Sequence, residues 1–120
     1  MSVTDRARVA LVARGVGVSA SVLAAVGWLV FVFRNPYAPP AEGVSLLIGG
    51  TMTVACIVAV GAALRGAHIG MYLLFLVSFL PEGLSTLLSP GVFQVIGWCN
   101  LVYLASAVCI HASLPRHRSA

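Results

Sequence analysis

The sequence predicts an all-α, polytopic membrane protein folded as a compact antiparallel bundle of four transmembrane helices. Three observations predict it. First, 60% of the 120 residues are hydrophobic and only 8% are charged, against about 25% charged in an ordinary soluble domain. Second, mean hydropathy is +1.03, and a water-soluble fold of this length buries only about two-thirds of its extended surface, too little to hide so many apolar side chains. Third, four apolar stretches, 15–33, 44–64, 69–88 and 92–110, each approach the ~20 residues that cross a ~30 Å hydrocarbon layer at ~1.5 Å per residue. Lipid gives the backbone no hydrogen-bond partners, so helices are the default, and the period-two alternation of a barrel is missing. The chain is expected to form one domain, 1–120, with short tails.

The first helix is expected to begin well before Gly15, because Ser2-Val3-Thr4-Asp5 fits a capping box. The apolar run is too long for a cleaved leader, and no small-x-small cleavage site follows it. Arg34-Asn35-Pro36 ends the helix, and Pro36, Pro39 and Pro40 make the next segment stiff and extended. Glu42 precedes helix two, where a carboxylate suits the positive end of the helix dipole. Arg65-Gly66-Ala67-His68 is a tight connection with Gly66 placed for a left-handed cap, which makes helices two and three antiparallel neighbours. Ser89-Pro90 reads as cap and first-turn proline of helix four.

All seven basic residues are arginines, set against Asp5, Glu42 and Glu82. They sit at the ends of apolar segments, with no aromatic-interleaved basic face, so nucleic acid is not an expected partner. They fit the positive-inside rule instead. With both termini cytoplasmic, Arg6, Arg8, Arg14, Arg65, Arg116 and Arg118 lie inside and Arg34 alone lies outside. The expected location is the plasma (inner) membrane, and the lipid bilayer is the first partner.

Helices in lipid associate through close packing and interhelical hydrogen bonds, both favoured by small residues. Gly17, Ser21 and Ala25 form a small-xxx-small run on helix one. Ser45, Gly49, Thr53, Cys56 and Ala63 form a stripe on helix two. Cys56, Cys99 and Cys109 lie inside apolar stretches without C-x-x-C or zinc spacing, and read as small reduced hydrophobes.

The residues out of place in hydrocarbon cluster at Phe79-Leu80-Pro81-Glu82-Gly83-Leu84-Ser85. If helix three runs straight through, Ser78, Glu82, Ser85 and Ser89 form one polar stripe in its outer half. Glu82 then lies about 10 Å from the outer end, where a carboxylate costs about 2–3 kcal/mol unless neutralised or paired. If the crossing ends near Leu80, Pro81-Glu82-Gly83 is a turn, Leu84–Leu88 lies along the outer interface, and Glu82 meets headgroups. Asn100, at mid-helix four, needs a partner inside the bundle, and Gln94 stands near enough to the outer end to reach Glu82. Gly97, Asn100, Tyr103, Ala107 and His111 share one helix face.

His68 and His111 begin helix three and end helix four, at matching depth near the inner surface. Two histidines without further ligands read as interfacial residues rather than a metal or haem site, so no metal and no cofactor is expected. No nucleophile–base pair, phosphate-binding loop or two-carboxylate site is present, so an enzyme is not expected. Two functions remain. One is an accessory or interaction protein packing in the bilayer, alone, as a homo-oligomer or beside a larger membrane complex. The other is a small oligomeric transporter or channel that couples protons or cations through Glu82, with Ser78, Ser85, Gln94 and Asn100.

Overall fold

The computed structural model describes residues 2–39 and 41–115. Pro40 of the proline loop and Arg116, His117 and Arg118 of the basic tail lie outside the described residues. Among those described there is no strand; the elements are α1 (Val3–Phe33), α2 (Val44–Arg65), α3 (His68–Ser78), a wide turn (Phe79–Gly83), α4 (Leu84–Leu88) and α5 (Gln94–Ser113). Helices α1, α2 and α5 are long and apolar enough to cross a membrane, and α3 is a shorter apolar helix.

Local chemistry sets most of the boundaries. The Ser2 hydroxyl accepts the Asp5 N–H at 3.1 Å while the Asp5 carboxylate accepts the Ser2 N–H at 3.3 Å, the reciprocal capping box expected. At the far end of α1, Asn35 accepts the Tyr37 N–H at 2.9 Å and Ala41 donates back to the Val32 carbonyl at 3.2 Å, so the loop folds over the helix end. α2 closes on Gly66 at φ +63°. The Gly66 and Ala67 N–H groups bond the Ala63 and Ala62 carbonyls, which is the paired closure that a left-handed glycine permits.

Two boundaries differ from expectation. The stretch 69–88 is not one rod. A residue before proline is driven toward extended geometry, and Leu80, before Pro81, takes φ −108° and ψ 116°. The helix therefore stops at Ser78 and restarts as α4. The tail end of this unit does not lie flat across the bundle end either: α4 continues along α5, with the Leu87 backbone against Gly97. The second difference is the start of α5, at Gln94 rather than 92. Ser89 does not cap it; its hydroxyl donates to the Ser85 carbonyl at 2.8 Å and closes α4 instead. Gly91 at φ +125° turns the chain, and the Val92 N–H donates to the Tyr37 hydroxyl at 3.1 Å.

α1 lies between α2 and α5, and α3 with α4 covers α5 and part of α2. His68 stacks on His111 at one end of the bundle, and Val92 meets Tyr37 at the other. The broken unit α3–turn–α4 thus runs the full length of α5, and the four segments alternate in direction.

The interior sets alanines around a few larger side chains. Ala13, Ala20, Ala59, Ala63, Met71, Tyr103, Ala107 and Ile110 fill the half near the histidines, and Ala24, Trp28, Met52, Cys56 and Ile96 fill the other. A Cβ on Gly17 would meet Ser106, Ala63 and Met71 at 3.0–3.2 Å, so all four segments converge on that glycine. Most of the large aliphatic side chains point outward: Leu47, Val54, Ile57 and Leu64 are each 61–69% exposed. Of the expected packing residues, Gly17, Ser21, Gly49 and Cys56 are buried, Ala25 and Thr53 half-buried, and Ser45 exposed.

Candidate functional site

The break in the third segment sits against the first third of α5. A Cβ built on Gly83 would lie 2.9 Å from Asn100 Nδ2 and 3.1 Å from the Ser78 carbonyl. Only glycine lets the turn approach α5 this closely. Asn100 follows Gln94 by six residues, so the turn lies about 9 Å inside the end of α5. The main chain of Glu82, next to Gly83 in the turn, is at that level of the bundle, and the residue is half-buried.

The five candidate polar residues are only partly brought together. Ser78 and Asn100 line one small cavity with Ala20, Ser21, Ala24, Ala59, Cys99 and Tyr103. Its volume is about 10 Å³, at the lower limit for a single water molecule. Ser85 is exposed and takes part through its carbonyl, as the acceptor for Ser89. Gln94 does not reach Glu82; its Nε2 donates to the Leu87 carbonyl at 3.1 Å and ties α5 to α4.

The buried side chains at this level are hydrogen-bonded without calling on Glu82. The Ser78 hydroxyl donates to the Leu74 carbonyl, Asn100 Nδ2 to the Ile96 carbonyl and the Ser21 hydroxyl to the Gly17 carbonyl. Each returns to its own helix one turn back, the local alternative to an interhelical partner. The expected bundle partner for Asn100 is therefore its own backbone. Two of the buried hydroxyls do bond across helices: Tyr103 to the Ala59 carbonyl at 2.9 Å, and Ser106 to the Ala13 carbonyl at 3.0 Å. Bonds of this kind contribute about 0.6 kcal/mol each in lipid. Ser106 carried no distinguishing sequence signal beyond its place three residues after Tyr103.

A second cluster forms at the opposite end. The His68 and His111 rings stack with centroids 4.7 Å apart and planes 17° from parallel. Tyr72, which sequence reasoning did not single out, brings its hydroxyl to 3.2 Å from His111 Nδ1. Face-to-face rings do not aim their nitrogens at one point. Among the described residues no group of three metal-ligating side chains occurs. Arg14 lies over Gly66 near this end, its Nε 2.7 Å from where a Cβ would stand.

No family model matches the chain, and no curated protein or solved structure matches it either. The roles of these side chains rest on their geometry.

Proposed function

We propose that the chain is a four-span integral membrane protein with cytoplasmic termini that acts by packing against another membrane-embedded polypeptide. The observation that carries this reading is the closed centre: the polar cavity beside Asn100 holds about 10 Å³, and its buried side chains donate to main-chain carbonyls. A solute path through one copy would need a wetted, continuous lining. The membrane setting is supported by where the aliphatic side chains lie: among the described residues no leucine is buried and Val32 is the one buried valine, while alanines make up much of the interior around Met71, Ile96 and Ile110. Such an exterior suits hydrocarbon, and close approach of small residues is how helices hold together there.

The bent unit α3–turn–α4 serves as the third crossing, because it matches α5 from end to end. A broken helix is tolerated at membrane depth when protein covers the freed backbone, and here α5 supplies that cover. For orientation, Arg14 and Arg65 share the histidine end while Arg34 follows the opposite end of α1. The positive-inside bias puts the histidine end in the cytoplasm.

Single cysteines introduced near Thr4 and Leu114 should react with a membrane-impermeant maleimide only after the cytoplasmic face is opened. Labelling of the two sites from opposite faces would mean an odd number of crossings and would overturn the topology. The purified protein alone, in sealed vesicles, should hold an imposed proton or potassium gradient as long as protein-free vesicles do. Rapid dissipation would overturn the packing role in favour of transport.

One observation favours that second reading. A carboxylate beside a helix break, at a depth where charge is costly, is a common arrangement of ion-coupling sites. Under it Glu82 carries the proton or cation, and oligomerisation would have to supply the path.

A further inference from the structure

An open groove of about 410 Å³ runs along the outside of the bundle between α1 and α5, and its single charged lining residue is Arg8. We propose that this groove binds one anionic phospholipid of the cytoplasmic leaflet, an acyl chain along its length and the phosphate on Arg8. The proposal rests on the membrane topology given above.

The walls are Val12 and Val16 from α1 and Val102 and Ala105 from α5, over a floor of Ala13 and Ser106. The floor is polar only in name, because the Ser106 hydroxyl is turned inward to the Ala13 carbonyl at 3.0 Å. From Arg8 to Val16 the groove spans eight residues of α1, or about 12 Å, close to one leaflet of a ~30 Å hydrocarbon layer. Arg8 stands at the cytoplasmic end, where headgroups lie.

The guanidinium is available. Arg8 is exposed, and the nearest acid in sequence, Asp5, already accepts from the Ser2 N–H at 3.3 Å and the Ser2 hydroxyl at 2.8 Å. Charge complementarity selects lipid over a second copy of this chain. The sequence has three acids, Asp5, Glu42 and Glu82; Asp5 is engaged, Glu42 precedes α2 at the opposite end, and Glu82 lies at the helix break. Among the described residues, the one acid a second copy would carry at this end is Asp5, which is held by its own Ser2, whereas a lipid phosphate reaches Arg8 with no such competitor. Arg14 and Arg65 add positive potential at the same end and favour an anionic over a zwitterionic headgroup.

The test is native mass spectrometry of the detergent-solubilised protein with phosphatidylglycerol or phosphatidylcholine of identical acyl chains. One phosphatidylglycerol should be retained in preference to phosphatidylcholine by about fivefold, the effect of one arginine near the headgroup plane. Arg8→Gln should abolish the preference, and Ala105→Phe, which fills the groove with Arg8 intact, should reduce retention of both lipids. Gly50→Phe serves as control: it fills the comparable surface groove on α2, whose lining holds no charged residue, and should change nothing. Equal retention of both lipids, or a preference untouched by Arg8→Gln, overturns the site and leaves the topology standing. A dimer lost on Ala105→Phe would put a second copy in the groove and likewise overturn it. A chain that stays monodisperse without detergent overturns the topology as well.

Discussion

Gly97→Leu should uncouple α4 from α5 and destabilise the protein more than the same substitution at Gly27 of α1 or Gly50 of α2. A Cβ at Gly97 would fall 2.6 Å from Leu87 Cα and 2.7 Å from Leu87 N. Those are main-chain atoms, which cannot swing aside as a side chain can. Contrast Gly27, where the obstacle is the Ile96 side chain, with Cγ1 2.7 Å away; another rotamer gives part of that room. Moving α4 away from α5 also breaks the Gln94–Leu87 bond, 3.1 Å long, and uncovers the backbone freed at Leu80. Overpacking of this kind costs about 1–3 kcal/mol. In thermal unfolding in mild detergent, Gly97→Leu should lower the midpoint markedly. Gly50→Leu, with nothing within 4 Å of its Cβ position, should leave it unchanged or raise it slightly by helix propensity. Equal midpoints for the two variants would mean that α4 is not seated on α5.

The ends of the helices were legible because their signals are local. Ser2 with Asp5, Asn35-Pro36 and Gly66 each act within a turn of the chain, and no distant contact is needed to read them. The small-residue stripes were legible for a related reason. Gly17, Ser21, Gly49 and Cys56 are buried because two apolar rods meet closely only where side chains are short, whichever rods they are. The third segment was harder, since two local signals compete there. The spacing of Ser78, Glu82, Ser85 and Ser89 fits one straight helix, while the proline acts on the residue before it, and the conformation of Leu80 records which effect wins. The start of α5 is decided by tertiary contact: Tyr37, fifty-five residues before Val92, holds the loop that a Ser-Pro pair would otherwise have made helical. Register between helices is the least legible of all. Nothing near Ser106 in the chain points to Ala13, ninety-three residues away, and the stacking of His68 on His111 was foreseen only as a match in depth.

Glu82→Gln should leave the fold intact and make the isolated protein more stable, by about 1–2 kcal/mol in detergent unfolding. The sign follows from the neighbours. Ser78, Asn100 and Gln94 donate to the carbonyls of Leu74, Ile96 and Leu87, so removing the charge strands none of them. On the topology proposed above, what the substitution removes is the cost of holding a carboxylate at the depth of the helix break, less the smaller cost of the amide. A residue that weakens the fold it sits in is the pattern expected where function opposes stability. On the packing role, the half-exposed carboxylate is the group a partner helix would meet with a lysine or arginine at the same depth. Glu82→Gln should then weaken recovery of a crosslinked complex from intact membranes while the protein itself is produced normally. On the transport role, wild-type protein dissipates a proton or cation gradient and Glu82→Gln stops it. A destabilised Glu82→Gln protein would sink both, because it would make the carboxylate a structural group whose partner lies within the bundle.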